Sequence, residues 1–145
     1  MKISTKGRYA LRMLLDLAEN KNSGFIALKE IAERQNISKQ YLEQIITIIN
    51  NSMILRANRG KHGGYMLAKE PSEITVGQIL RITEGNISSI SCLEGEVNQC
   101  DKVDTCKTLY IWKELNKVIA DYLDSVTLQD ILNKYQEQQI DNYVI

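Results

Sequence analysis

The sequence predicts a mainly α-helical chain with one small β wing, and three observations predict it. Apolar residues recur at three- and four-residue spacing in several separate segments. A glycine-rich basic stretch, RGKHGG at 59–64, sits between two short β-prone runs, and a long apolar stripe runs through the last third of the chain. At 145 residues the chain is long enough to bury a core without disulfides.

The first helix is expected over residues 5–19, where Ala10, Met13, Leu14, Leu17 and Ala18 share a face and Ser4 stands as N-cap. Lys2, Lys6, Arg8 and Arg12 gather near its start, against the preference of the helix dipole, so a negative partner there would help. After KNSG at 21–24, Leu28, Ile31 and Ala32 form a short apolar face that Asn36 and Ile37 interrupt. Ser38 then caps an amphipathic helix with Leu42, Ile45, Ile46 and Ile49 on one side and Lys39, Gln40, Glu43, Gln44 and Thr47 on the other. This is helix-turn-helix spacing, although an ordinary helical hairpin with a solvated outer face satisfies it too. Residues 54–68 shift the balance. ILRAN at 54–58 and YMLA at 65–68 read as short strands around the basic tip, and a β-hairpin wing directly after a helix-turn-helix is hard to explain as decoration.

Pro71 marks a boundary, and Thr75 caps a helix from Val76 to Glu84 whose Ile79, Leu80 and Ile82 can pack on the winged domain; Gly85 and Asn86 stop it. Leu109, Trp112, Leu115, Val118, Ile119 and Tyr122 place a further helix over 108–124. Its apolar stripe is too long for so small a domain to cover unaided, which implies pairing with a second copy in a homodimer. Thr127 caps a last helix bearing Leu128, Ile131, Leu132 and Tyr135, and the tail at 136–145 is expected to pack poorly. The chain so divides into a winged helix-turn-helix at 1–84, a cysteine-bearing sensor loop at 85–107, and a dimerisation helix with a C-terminal helix at 108–145.

The net charge of zero conceals an asymmetry: residues 1–69 carry 7 Lys and 5 Arg against 5 acids, net +7, and residues 70–145 are net −7. A basic half of this kind is the footprint of a surface for phosphate backbone. Arg12 and Asp16 break the first apolar segment, no other stretch approaches the roughly 18 uncharged apolar residues that would span a bilayer, and a cytoplasmic location without membrane attachment is expected. The sole histidine has no evident serine or cysteine partner and no phosphate-binding glycine loop precedes a helix, so no enzyme is expected.

A helix of this kind fits the major groove and reads base edges with its outer face, which makes Lys39, Gln40, Tyr41, Glu43 and Gln44 the candidate contacts to double-stranded DNA. Gln40 and Gln44 can bond adenine, and Lys39 can meet phosphate or guanine. Glu43 is repelled by the groove unless a cytosine amino group faces it, so it acts either as a filter against wrong sites or as a salt-bridge partner within the domain. In the wing, Arg59 can enter a narrowed minor groove and Lys61 can hold the backbone. His62 suits phosphate contact or plain exposure better than metal ligation. Lys6, Arg8 and Arg56 are further phosphate candidates or solvated charges.

All three cysteines, Cys92, Cys100 and Cys106, fall in one stretch with C-x7-C-x5-C spacing. In a reducing cytosol such clustered thiols are more often metal-binding or redox-active than disulfide-bonded, and three cannot pair off within one chain. The spacing lacks the C-x2-C knuckles of a typical zinc site, and by itself leaves a metal site and incidental cysteines both open.

Several short motifs together resemble one family: SxKGRYA at 4–10, SxxYLEQ at 38–44, RGxxGGYxLA at 59–68, IT at 74–75, EG at 84–85, and three cysteines ahead of Trp112. The chain is similar to the bacterial winged-helix regulators that include IscR, NsrR and CymR, closest to the cluster-bearing IscR-like branch. The resemblance covers nearly the whole chain. It implies a homodimeric transcription factor, a repressor or dual regulator, on a roughly palindromic operator. It also implies an iron–sulfur cluster held by Cys92, Cys100 and Cys106, with 2Fe–2S expected ahead of 4Fe–4S, reporting cluster status, redox state or nitric oxide.

The sequence departs from that pattern at three positions. Leu109 stands where IscR-like members carry histidine, and Arg8 stands where NsrR-like members are thought to use an acidic residue. The fourth ligand therefore falls to Glu94, Glu96, Asp101, Asp104 or a residue of the other subunit. Met53 stands where the family tends to have glycine, so the left-handed turn there is expected at Asn51 or Ser52. Two alternative functions stay open. A regulator of the same family without a cluster would answer to thiol oxidation, zinc or a partner enzyme such as cysteine synthase. A small iron–sulfur electron carrier or cluster-delivery protein would bind no duplex, and the +7 half and the wing speak against it.

Overall fold

The computed structural model describes residues 1–143, which form six α-helices and one two-stranded antiparallel sheet. Helix α1 (Thr5–Glu19) starts where the Ser4 hydroxyl accepts a hydrogen bond from the Gly7 N–H at 3.1 Å, and buries Ala10, Met13, Leu14, Leu17 and Ala18. Helix α2 (Leu28–Gln35) ends at Asn36 with φ 53°, a left-handed conformation that asparagine tolerates better than most residues. Helix α3 (Lys39–Ile49) comes next, capped by the Ser38 hydroxyl and buried through Leu42, Ile45, Ile46 and Ile49. The apolar faces of these three helices close one core.

Strands β1 (Leu55–Asn58) and β2 (Gly64–Leu67) form the wing, with Leu55 opposite Leu67 and Asn58 opposite Gly64. Ile26 adds a single rung on the other side of β2: its N–H donates to the Tyr65 carbonyl and its own carbonyl accepts from the Tyr65 N–H, both at 2.8 Å. The wing is thereby fastened to the segment that leads into α2.

Helix α4 (Val76–Glu84) begins in a reciprocal cap between Thr75 and Gln78, places Ile79 and Leu80 in the core, and ends at Gly85 with φ 75°. Helices α5 (Leu109–Ser125) and α6 (Leu128–Tyr143) meet α4 at its start, where the Val76 N–H donates to the Val126 carbonyl and the Leu128 N–H to the Ile74 carbonyl, each at 2.9 Å. Thr127 and Asp130 cap α6 reciprocally. The tail packs poorly as expected, with residues 136–143 all exposed, while helix α6 continues through them to Tyr143. Val144 and Ile145 lie outside the described residues.

The turn after α3 also departs from expectation. Neither Asn51 nor Ser52 takes the left-handed conformation; Met53 does, at φ 61°, with its side chain 77% exposed. Asn50 to Ser52 continue instead as a 3₁₀ turn, in which Ser52 Oγ donates to the Ile49 carbonyl at 2.5 Å, and the reversal is pushed one residue on. A Cβ in that region costs about 1 kcal/mol. Met53→Gly is therefore expected to stabilise the fold by about 0.5–1 kcal/mol, read as a higher urea midpoint at unchanged slope. A lower midpoint would show that the methionine contributes more than the strain costs.

Asp16 is buried at 2% exposure between α1 and α2. Its carboxylate accepts from Arg34 Nε at 2.9 Å and Nη2 at 2.6 Å, and from Gln35 Nε2 at 3.0 Å. The bond to Asp16 pushes the Arg34 guanidinium above its ordinary range.

Candidate nucleic-acid interface

The outer face of α3 carries Lys39, Gln40, Glu43, Gln44 and Thr47, all exposed, directly opposite its buried isoleucines and Leu42. The first helical turn of α3 holds no acidic residue, so its N-terminal dipole is not neutralised there. Lys39 Nζ stands 3.9 Å from Glu43 Oε1, the salt bridge weighed against a filtering role. With both side chains more than half exposed, that pair contributes little and yields easily to another partner.

Tyr41 differs from its neighbours. It is half-buried, packed against the core, and meets the Tyr9 ring edge-on with centroids 5.5 Å apart; the Arg12 guanidinium lies 5.2 Å from the Tyr9 centroid. The Arg12 guanidinium also donates to the Gln35 carbonyl. These contacts fix the start of α3 relative to α1 and α2, and Tyr41 is held inward more than outward.

The wing tip presents Arg59, Lys61 and His62 to solvent. It turns through Gly60 at φ 112°, with the Gly63 N–H donating to the Gly60 carbonyl at 3.0 Å. Arg56 is exposed on β1, and a pocket of about 430 Å³ at the base of the wing joins it to Lys21, Lys69, Glu70 and Glu73, with Lys21 Nζ 3.2 Å from Glu70 Oε2. Lys6 and Arg8 lie at the start of α1, Lys6 partly covered and Arg8 donating to Thr5 Oγ1 at 3.1 Å.

The cysteine loop is less gathered. Cys92 and Cys100 line one cavity of about 530 Å³ together with Glu94 and Gln99, and Cys106 stands outside it. Among the described residues, no three Cys, His, Asp or Glu side chains come together as a metal site. Cys106 is exposed 3.6 Å from Thr108 Oγ1, and hydrogen bonding from that hydroxyl, then from the Thr108 backbone, holds its thiol below the ordinary range. The root of the loop is firmly tied: Asn116 Oδ1 of α5 accepts from the Ser89 N–H at 2.8 Å and the Ser89 hydroxyl at 2.6 Å, and Asn116 Nδ2 donates to Ser88 Oγ at 3.0 Å.

Helix α5 buries no side chain among the described residues. Ile111, Leu115, Val118 and Tyr122 form a single exposed stripe at four-, three- and four-residue spacing. Trp112, expected in the apolar stripe that pairs with a second copy, is half-buried, and Tyr110 is exposed. Among the described residues no helix is long and apolar enough to cross a membrane.

Comparison with known proteins agrees with this geometry. The model of the Rrf2 family, described as an iron-dependent transcriptional regulator, matches residues 3–134. The chain is 38% identical to the transcriptional regulator CymR of Bacillus subtilis, over 96% of this chain and 95% of that protein. It is 35% identical to the regulator IscR of Pectobacterium atrosepticum, over 92% of this chain and 80% of that protein. Among solved structures, IscR of T. potens superposes with a TM-score of 0.76 at 40% identity, covering 96% of this chain and 91% of that one.

Proposed function

The chain belongs to the Rrf2 family of transcriptional regulators, which are not enzymes, and from that premise we propose that it works as a homodimeric repressor on a palindromic operator. The observation that carries this reading is the amide-bearing face of α3, exposed opposite a fully buried face and followed in the chain by a wing with a basic, exposed tip. Gln40 and Gln44 supply base readout, Glu43 rejects wrong bases, Arg59 enters the minor groove, and Lys6, Arg8, Arg56, Lys39, Lys61 and His62 hold phosphates. The exposed stripe on α5 supports pairing of two chains, which would set two reading heads on successive half-sites.

Two substitutions separate readout from grip. Gln44→Ala is expected to cost about 1–3 kcal/mol on the operator and little on unrelated duplex. Lys61→Ala is expected to weaken binding to both alike and lower the log–log salt slope by about one. Fluorescence anisotropy on the two duplexes checks both, and equal losses for Gln44→Ala on either DNA would remove it from base readout.

For the sensor, the proposal is an iron–sulfur cluster on Cys92, Cys100 and Cys106. Soft thiolates suit such a group, and the family's iron-dependent description supports it. In the single chain Cys92 and Cys100 share one cavity and Cys106 stands outside it, so holding one cluster on all three requires Cys106 to move toward the other two. The loop's part in switching therefore rests on its own ties to α5 through Ser88, Ser89 and Asn116. A second reading, reversible thiol oxidation without a metal, is favoured by the exposure of Cys100 and Cys106. Anaerobic purification with an absorption spectrum, iron and sulfide analysis, and operator binding before and after air decides between them. A coloured, iron-containing dimer whose affinity changes in air supports the cluster; an iron-free dimer that responds to oxidant supports the thiols.

A further inference from the structure

Helix α4 carries a glycine in its first turn, Gly77, where no unusual backbone angle demands one. The reason lies across the helix pair. A methyl group at Gly77 would collide with Asp124 Oδ1 and come within 3.0 Å of Arg81 Nη1. The missing side chain makes room for a two-point ion pair in which Arg81 Nη1 donates to Asp124 Oδ1 at 2.6 Å and Nη2 to Asp124 Oδ2 at 2.9 Å.

Arg81 belongs to α4, which packs on α1 and α3, and Asp124 belongs to the last turn of α5, which bears the exposed apolar stripe. One turn away, the backbone bonds of Val76 and Leu128 already fasten the α5–α6 junction to the start of α4. Those bonds fix one point of α5, and further along it Asn116 is tied to Ser88 and Ser89, which belong to the loop after α4 and not to α4 itself. A bidentate guanidinium–carboxylate pair beside the first point fixes the direction of α5 against α4, since both oxygens must face the planar fork at once. Above it, a cleft of about 200 Å³ between α4 and α5, lined by Arg81, Ile87, Asn116 and Ala120, leaves space for that direction to change.

We propose that Arg81 and Asp124, with the space left by Gly77, are positioning residues that fix the angle between each reading head and the dimer helix, and so set the half-site spacing this regulator accepts. This rests on the dimeric DNA-binding reading above. The heads touch DNA at separate places, so a small change of that angle alters the distance between them without touching any base contact. A loosened clamp then leaves half-site sequence preference intact and widens the tolerated spacing.

The test uses the full-length dimer. Wild type selects duplexes from a randomised pool, and the enriched site is resynthesised with its two half-sites moved together or apart by one and two base pairs. Asp124→Asn is expected to keep the wild-type half-site sequence while its preference for the native spacing falls about fivefold. Asp124→Glu tests whether a carboxylate of another length restores it, and the charge-reversed pair Arg81→Glu with Asp124→Arg is expected to recover most of the discrimination. Circular dichroism melts check that each variant is folded. Equal weakening at every spacing, or no change at any, overturns the proposal. Enrichment of no paired half-sites by wild type would overturn the dimeric operator reading itself, a result distinct from failure of the clamp.

Discussion

Gly64→Ala is expected to destabilise the protein by about 3 kcal/mol and to weaken duplex binding with it. Gly64 opens β2, and its backbone takes no angle that a side chain would resist, so the position is glycine for space alone. A methyl there would run into the Ile26 carbonyl and stand 2.8 Å from the Ala27 nitrogen. Neither atom can retreat cheaply. Ile26 is held by two 2.8 Å hydrogen bonds to Tyr65 and its side chain is buried in the core. Relief means breaking that rung, at about 1 kcal/mol for each hydrogen bond, and partly withdrawing Ile26 from its packing. The wing would then hang from β1 alone, and its tip would lose its fixed direction relative to α3. Urea unfolding and anisotropy on one duplex measure both effects. A loss below about 1 kcal/mol would show that the Ile26 rung does not hold the wing.

Arg34→Met is expected to cost a similar amount, about 3 kcal/mol, because it strands the Asp16 carboxylate at 2% exposure with only the Gln35 amide to meet it. The cost lies in the uncompensated charge rather than in the loss of an attractive pair. Removing both partners should therefore be far milder, and Asp16→Leu with Arg34→Met is expected to recover most of the stability. If the double variant is as unstable as the single one, the pair contributes packing rather than charge balance. The site matters for function because α2 is the first helix of the helix-turn-helix, and Asp16 ties its last turn to α1.

Most of the fold was legible because its elements announce themselves locally. Ser4, Ser38 and Thr75 cap the helices they precede, and the apolar spacing of α3 predicted the buried set Leu42, Ile45, Ile46 and Ile49. The wing was legible from its glycine-rich tip. What the sequence hid are contacts between distant residues with no periodic signal. Ile26 joins the wing as one rung, too short to read as a strand. Asp16 looked like a charge interrupting an apolar helix, and its partner lies 18 positions on. Arg81 and Asp124 are 43 positions apart, and Gly77, which leaves them room, sits in the first turn of α4 where a glycine draws no notice. Met53 was misjudged because the 3₁₀ extension of α3 moved the reversal by one residue.

The candidate interface was legible as a set of exposed side chains, since the opposite face of α3 had to be buried. Tyr41 was the exception, because it packs on the core and against the Tyr9 ring, a contact that spacing cannot show. The cysteine loop was legible only as composition. Its three thiols are close in sequence, yet Cys92 lies in one short 3₁₀ turn and a second, Val103–Thr105, comes between Cys100 and Cys106, which stands outside the cavity of the other two.

The most direct test of the central claim, that a basic winged head grips duplex DNA, is a binding titration of the full-length protein against a selected operator duplex across a series of salt concentrations. The account predicts tight binding at low salt and a linear fall of log affinity with log salt, its slope near the number of phosphates neutralised. Absence of binding at low salt, or an affinity indifferent to salt, would contradict it.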